Sequence, residues 1–295
     1  MSGENHTTDP REQLKDKILA DYPRLGSEDK FTFACHPGVP CFNRCCNDVN
    51  IFLSPYDVLR MKKRLGMASS DFLNTYALLP VQKDMKTPVV VLRMNDDESK
   101  VCPFLTGEGC GIYSDRPWPC RMYPLGVAAQ KDTPDGWRGD RFYFLLQEEV
   151  CRGFEEPKEW TVGEWIENQG IDEYDKWGEG FKELTIHRFF EEGGVLTPEK
   201  IHMFFTACYD LDKFRGFVFE STLLQRFEVD EDFVEEMRYD DEELLRFAFL
   251  WLRFTLFGEK AVKVKEHVIE AYKGKLEKKE LFEKEPSKGP EEESR

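Results

Sequence analysis

"ACHPGVPCFNRCCNDVN" (Ala34–Asn50) places Cys35, Cys41, Cys45 and Cys46 within twelve positions. A second group follows in "CPFLTGEGCGIYSDRPWPC", with Cys102, Cys110 and Cys120, and Cys151 lies about thirty residues further on. A chain of 295 residues buries a sizeable core without staples, so thiols at this density have another task. Eight of the nine cysteines precede residue 152. The ninth, Cys208 in "MFFTACYDL", reads as a small hydrophobe on an apolar helix face.

Composition narrows the task. The net charge of −16 is uneven: residues 1–155 carry 20 Lys and Arg against 22 Asp and Glu, and residues 156–295 carry 21 against 35. An acidic second half argues against nucleic-acid binding, which needs a basic footprint. The opening "MSGENHTTDPREQ" has no apolar h-region, and the longest apolar stretch, Phe247–Phe257, is broken by Arg253. No signal peptide, membrane span or membrane partner is expected, and the location expected is cytoplasmic. A reducing compartment disfavours disulfides and turns clustered thiols toward metal or redox chemistry.

Local signals place the cysteines on loops. Helices are expected over Asp9–Leu25, over 54–66 (Ser54 as N-cap, Pro55 in the first turn, Gly66 as stop), and over 69–79 behind Ser69 or Ser70. Extended segments are expected at Val49–Leu53, Pro88–Met94, Lys100–Leu105 and Arg141–Gln147. Between them, 107–126 reads as an ordered Gly/Pro loop. Further on, "TVGEWIENQG" opens with a capping box, Thr161 and Glu164, and helical patterns follow over 172–190, 197–214, 240–257 and 263–274. Trp160, Trp165, Trp177 and Trp251 fall at core spacings. The charged tail 275–295 reads as disordered.

The spacings C-x5-C-x3-C-C and C-x7-C-x9-C bear on the metal. Soft thiolates select zinc, copper(I) or iron–sulfur clusters over magnesium or calcium. Structural zinc is usually held by two short knuckles, but no C-x2-C occurs here. An adjacent Cys45-Cys46 pair fits one tetrahedral ion poorly, and its two side chains more easily reach different irons or different metals. Iron–sulfur clusters accept irregular spacings. The first reading is therefore an iron–sulfur cluster of the 4Fe-4S type. Zinc is the alternative, and metal-free thiol chemistry a third. Gly38, Pro40, Gly109, Gly111, Pro117 and Pro119 serve either as ordinary turn residues or to bend the backbone round a metal. Arg116 and Arg121 flank Cys120, either offsetting thiolate charge or capping a turn. His36 reads as a turn residue beside Cys35, and His187, His202 and His267 are scattered. No G-x-G-x-x-G, P-loop or H-E-x-x-H is present.

"CFNRCCNDVNIFLSPYDVLR" followed by "CPFLTGEGCGIYSDRPWPCRMYPLG" resembles the YkgJ-like cysteine-cluster family, described as a zinc- or iron-chelating domain with a C-x-x-C-x-x-C-C core. The shared order is a double cysteine, an L-[ST]-P-x-D helix start, then CPFL…C-x-IY-x-x-RP-x-x-C-R-x-[YF]-P. The resemblance covers roughly residues 33–155. It implies Cys41, Cys45, Cys46, Cys102, Cys110 and Cys120 as metal ligands, with Cys35 and Cys151 extending the set. The core spacing departs from the family's at Cys41-x3-Cys45. The family also includes flagellin lysine N-methylases.

The expectation is an α+β protein: a small cysteine-rich metal-binding domain of short strands and helices at 1–155, an acidic all-helical region at 156–274, and the tail. The function expected is metal binding with an electron-transfer, sensing or structural role. A zinc-stabilised interaction protein, or a methylase-like enzyme of protein modification using the centre, is the alternative. The partner is an unidentified protein, if any.

Overall fold

The computed structural model describes residues 23–80, 85–129 and 141–274. They fall into two compact units that divide between Ile186 and His187. The fold is α+β, with strands paired only in short two-stranded antiparallel ladders. The opening helix read over Asp9–Leu25 lies almost wholly outside the described residues, and the tail 275–295 lies outside them entirely. Among the described residues, no helix is long and apolar enough to cross a membrane.

In the first unit, Lys30–Thr32 pairs with Glu159–Thr161, and Leu125–Ala129 pairs with Arg141–Leu145. Leu25 exchanges both backbone hydrogen bonds with Tyr143, at 2.8 and 2.9 Å. Alternate side chains of these ladders meet the helices in a core of Phe31, Phe33, Met122, Leu125, Val162 and Trp165. Phe33 sits edge-on to Trp165 at 5.5 Å and to Tyr123 at 5.9 Å. Burying each such ring is worth about 2–3 kcal/mol against leaving it in water. This core fixes Tyr123 and the chain on either side of Cys35.

Helix starts follow local chemistry. Pro55–Leu65 begins with a reciprocal capping box between Ser54 and Asp57 and ends at Gly66 with φ 64°. Val162–Gln169 begins with the same device, Thr161 with Glu164. The next helix, Ser69–Tyr76, departs from expectation: Ala68 is its N-cap and no side chain caps it.

The extended segments are shorter than their patterns suggested. Ile51–Leu53 pairs with Val90–Leu92 through Leu53 N–H to Val90 O and Leu92 N–H to Ile51 O, both 2.8 Å, and Val91–Leu92 pairs on with Ala77–Leu78. The strand read over Lys100–Leu105 is not continuous. Val101 bridges Asn47, Pro103 follows, and the strand proper is Leu105–Thr106, paired with Gly109–Cys110. Proline has no N–H and interrupts a ladder. The stretch read as a loop over 107–126 holds a helix, Trp118–Met122, and the first residue pairs of the ladder beginning at Leu125. Small residues at Gly126, Ala128 and Ala129 hid that strand.

The second unit is mainly helical. Pro198–Cys208, Leu211–Glu220, Glu231–Tyr239 and Asp241–Phe257 pack through Phe204, Leu211, Phe214, Met237, Leu244 and Leu252, all buried. Thr197 and Asp240 cap two of these helices through their side chains. The expected all-helical character of 156–274 needs correction. Glu159–Thr161 is a strand of the first unit, and Phe227–Glu228 pairs with Lys263–Val264 in the second. Trp165, Trp177 and Trp251 are buried as expected, whereas Trp160 is only half-buried.

Candidate metal centre

All nine cysteines are free thiols. The loop carrying the first four is a chain of tight turns: Val39 N–H reaches His36 O, Arg44 N–H reaches Cys41 O at 3.0 Å, and Cys46 N–H reaches Asn43 O at 3.1 Å. Asn43, at φ 70°, takes the left-handed conformation that asparagine tolerates, and Arg44–Cys46 follow as one 3-10 turn. His36 serves the turn, as expected: its Nδ1 accepts from Gly38 N–H at 3.1 Å, and its Nε2 meets Glu156 at 3.2 Å.

Two seams hold this loop. On one side, Ala34 N–H donates to Gly153 O at 3.0 Å, and Arg152 N–H donates to the Cys41 sulfur at 3.0 Å. Gly153 is required there, because a Cβ would stand 2.6 Å from the Phe33 ring and 2.8 Å from Ala34 O. On the other side, Cys102 N–H donates to Cys46 O at 2.8 Å and Asp48 N–H to Lys100 O at 3.0 Å. Phe42 lies against Gly109, whose φ of 120° turns the chain into Cys110. The pairing of Leu105 with Cys110, and the bond from Leu105 N–H to Cys102 O, bring Cys110 back toward Cys102.

Cys120 is placed by two buried ionic side chains. Asp57 Oδ1 accepts Trp118 N–H at 2.7 Å while Oδ2 accepts the Ser54 amide and hydroxyl, both at 2.7 Å. Burial pushes the Asp57 carboxyl up, against these hydrogen bonds and the charge of Arg121. Arg121 donates to the carbonyls of Arg116 (2.8 Å), Gln169 (2.7 Å) and Ser114, and lies over the Tyr174 ring at 4.5 Å. Arg121 is thus a turn cap. Arg116 lies over the Tyr113 ring at 3.8 Å and donates to the Gln169 side chain, and its charge lowers Cys35, Cys45 and Cys120.

The thiols influence one another in a definite pattern. Burial raises Cys35 to about 11, reinforced by Cys45, Cys41 and Cys151. A hydrogen bond from Cys46 lowers Cys45 to about 7 and drives Cys46 upward, with Cys102 and Cys120 adding to the rise. Burial raises Cys120 to about 12, reinforced by Cys102 and Cys110, and burial likewise raises Cys102, with Cys110 adding. Cys35 and Cys45 are exposed, and the other six are half-buried.

Influence passes between pairs of these thiols, but among the described residues no three Cys, His, Asp or Glu side chains stand together as a metal site. Two orphaned donors adjoin them. Tyr123 Oη is shielded from water without a well-formed hydrogen bond, and its phenol is driven upward by burial and then by the thiol of Cys151. Arg116 Nε is likewise buried and unmatched. A neutral thiol accepts hydrogen bonds poorly, and a metal-bound thiolate accepts them well. Soft donors with orphaned N–H and O–H groups beside them suit a thiolate-bound metal.

Residues 34–152 match the family model CxxCxxCC, described as "Putative zinc- or iron-chelating domain". This segment is similar to the CxxCxxCC domain. The match begins one residue before Cys35 and ends one after Cys151, so it spans all eight clustered cysteines, and it supports metal binding by the domain. No curated protein and no solved structure matches the chain.

Sequence reasoning missed Asp57, which braces the Cys120 helix through Trp118, and Tyr123, which lies beside Cys151. Asp57 passed for a first-turn acid and Tyr123 for a loop residue. Both occupy positions of the family pattern, L-[ST]-P-x-D and C-R-x-[YF]-P, which was the available signal.

Proposed function

We propose that the CxxCxxCC domain holds a thiolate-ligated iron–sulfur centre, of the 4Fe-4S type, and works in electron transfer or sensing. Cys35, Cys41, Cys45, Cys46, Cys102, Cys110, Cys120 and Cys151 are the ligand candidates. The reading is supported by eight free thiols on three chain segments that hydrogen bonds join, Arg152 N–H to Cys41 Sγ and Cys102 N–H to Cys46 O, with the Tyr123 hydroxyl beside Cys151. The exposure of Cys35 and Cys45 leaves the centre open to a partner or to dissolved oxidants, as redox or sensing work requires and a sealed structural site does not. The reading belongs to a reducing compartment such as the cytoplasm.

Anaerobic purification followed by metal analysis, sulfide analysis and a visible spectrum tests this. Iron with acid-labile sulfide and broad visible absorption is the expected result. A colourless protein with stoichiometric zinc would replace it with the zinc reading. Protein that takes up neither metal after reconstitution would end both.

A further inference from the structure

We propose that the strand edge Asn50–Phe52 is a self-pairing surface, joining two copies of this chain edge to edge about a twofold axis at Ile51. Neither the thiols nor a metal takes part in this contact.

Three extended segments lie side by side: Ile51–Leu53 beside Val90–Leu92, and Val91–Leu92 beside Ala77–Leu78. The chain closes one edge of this set and leaves the other open. At the closed edge, Ala77 N–H donates to Leu73 O, and Ala77 O accepts the Arg93 guanidinium at 3.0 Å. At the other edge, Leu53 N–H to Val90 O and Leu92 N–H to Ile51 O straddle the facing residues Phe52 and Val91. Phe52 and Val91 are thus a pair without hydrogen bonds of their own, and the N–H and C=O of Phe52 point away from Val91, out of the set. Asn50, two positions earlier with no turn between, presents its N–H and C=O on the same side. Among the described residues, neither Asn50 nor Phe52 makes a backbone–backbone hydrogen bond.

Open edges of this kind template pairing, and proteins ordinarily blunt them with charge, proline or a covering element. Asn50, Ile51 and Phe52 carry no charge. Phe52 is 60% exposed. Leu78, on the same face across Val91, is 46% exposed. The edge therefore offers unpaired backbone groups and apolar surface together.

Register selects a second copy as the occupant. With the twofold at Ile51, Asn50 of each copy faces Phe52 of the other. Each such pair exchanges both N–H to C=O bonds, so every open group of the edge is matched. The two Phe52 rings become diagonal neighbours on one face, within aromatic reach. A twofold at Phe52 would instead bring Asn50 opposite Ser54. The Ser54 N–H is already held by Asp57 and its C=O by Val58 N–H, so that register leaves Asn50 unmatched. So short an edge buries less than the ~1,200–2,000 Å² of a stable interface, and the dimer is a weak one, with a Kd of about 10 µM to 1 mM.

Sedimentation equilibrium of the full chain, held reduced, tests this. A reversible monomer–dimer equilibrium with a Kd in that range is expected. Asn50→Pro removes an outward N–H that the single copy does not use, and Phe52→Lys places a charge on the edge; each should raise the Kd at least about 10-fold. Asn50→Ala keeps the N–H and should dimerise as wild type does. A chain still monomeric at about 1 mM would overturn the proposal and leave the edge to a different polypeptide. A dimer indifferent to both Asn50→Pro and Phe52→Lys would place the contact elsewhere, and equal weakening by Asn50→Ala and Asn50→Pro would rule out the ladder. Hydrogen exchange of the wild-type Phe52 amide needs no variant. It should slow as the concentration rises from about 10 µM to about 1 mM, and an unchanged rate refutes the pairing.

Discussion

The carboxylate of Asp57 accepts the backbone N–H of Trp118 at 2.7 Å, tying the start of one helix to the start of the short helix that carries Cys120. The two residues are 61 positions apart. One buried side chain thus caps its own helix and braces a candidate ligand segment. Asp57→Ala is expected to cost about 2–4 kcal/mol, since it leaves the Trp118 amide and the Ser54 groups unpaired in a dry site. Asp57→Asn should cost less, because it keeps one acceptor. Urea unfolding of the metal-free protein checks both, and equal losses for the two variants would contradict the bracing role.

Tyr123 is the next test. Its hydroxyl is buried beside Cys151 with no well-formed hydrogen bond. Tyr123→Phe removes a group that burial leaves unsatisfied, so metal-free stability should hold or rise by up to about 1 kcal/mol. Metal retention against a chelator should fall about 10-fold, because a thiolate loses its donor. Opposite signs in the two measurements are the signature expected. A variant that loses stability and keeps its metal affinity would sink the assignment.

Cys208 lies outside the clustered set. It is wholly buried at the end of the helix Pro198–Cys208, and burial raises its thiol well above the ordinary range. Cys208→Ala is expected to cost about 1 kcal/mol of stability through lost packing. Metal content should stay at the wild-type value. A drop in bound metal would show that the second unit contributes a ligand.

In the second unit, Glu259 receives His187 at 2.9 Å and Arg253 at 2.6 Å. Burial pushes its carboxyl up, but the hydrogen bonds and charges of Arg253 and His187 outweigh that and hold it below the ordinary value. A depressed folded value means that the charged form stabilises the fold. The contribution is complete above the unfolded value of about 4.3 and is lost as pH falls through the folded value. Glu259→Gln should therefore destabilise by about 1 kcal/mol at pH 7, discounted for its partial exposure. The variant and wild type should converge near pH 3. Thermal unfolding at both pH values reads this directly, and a constant gap would rule it out.

What the sequence determined by itself is local. Ser54 with Asp57, Thr161 with Glu164, and Thr197 before Pro198 were legible as helix starts because a cap is decided within one turn of chain. The cysteine groups were legible because their spacing needs no fold to be noticed, and the core tryptophans because periodicity is itself a local property. The strand at Leu125–Ala129 was not legible, since Gly126, Ala128 and Ala129 carry little propensity of their own and pair only because Arg141–Leu145 lies beside them. Nor could spacing show that Cys41 faces the Arg152 amide 111 residues away while Cys46 joins Cys102. Those partners are chosen by tertiary contacts: the aromatic core around Phe33, the close approach at Gly153, and the buried carboxylate of Asp57. The Cys45–Cys46 pair is legible in the sequence as a doubled thiol. Only the two seams of the folded loop decide what lies on either side of it, because those hydrogen bonds join residues far apart in the chain.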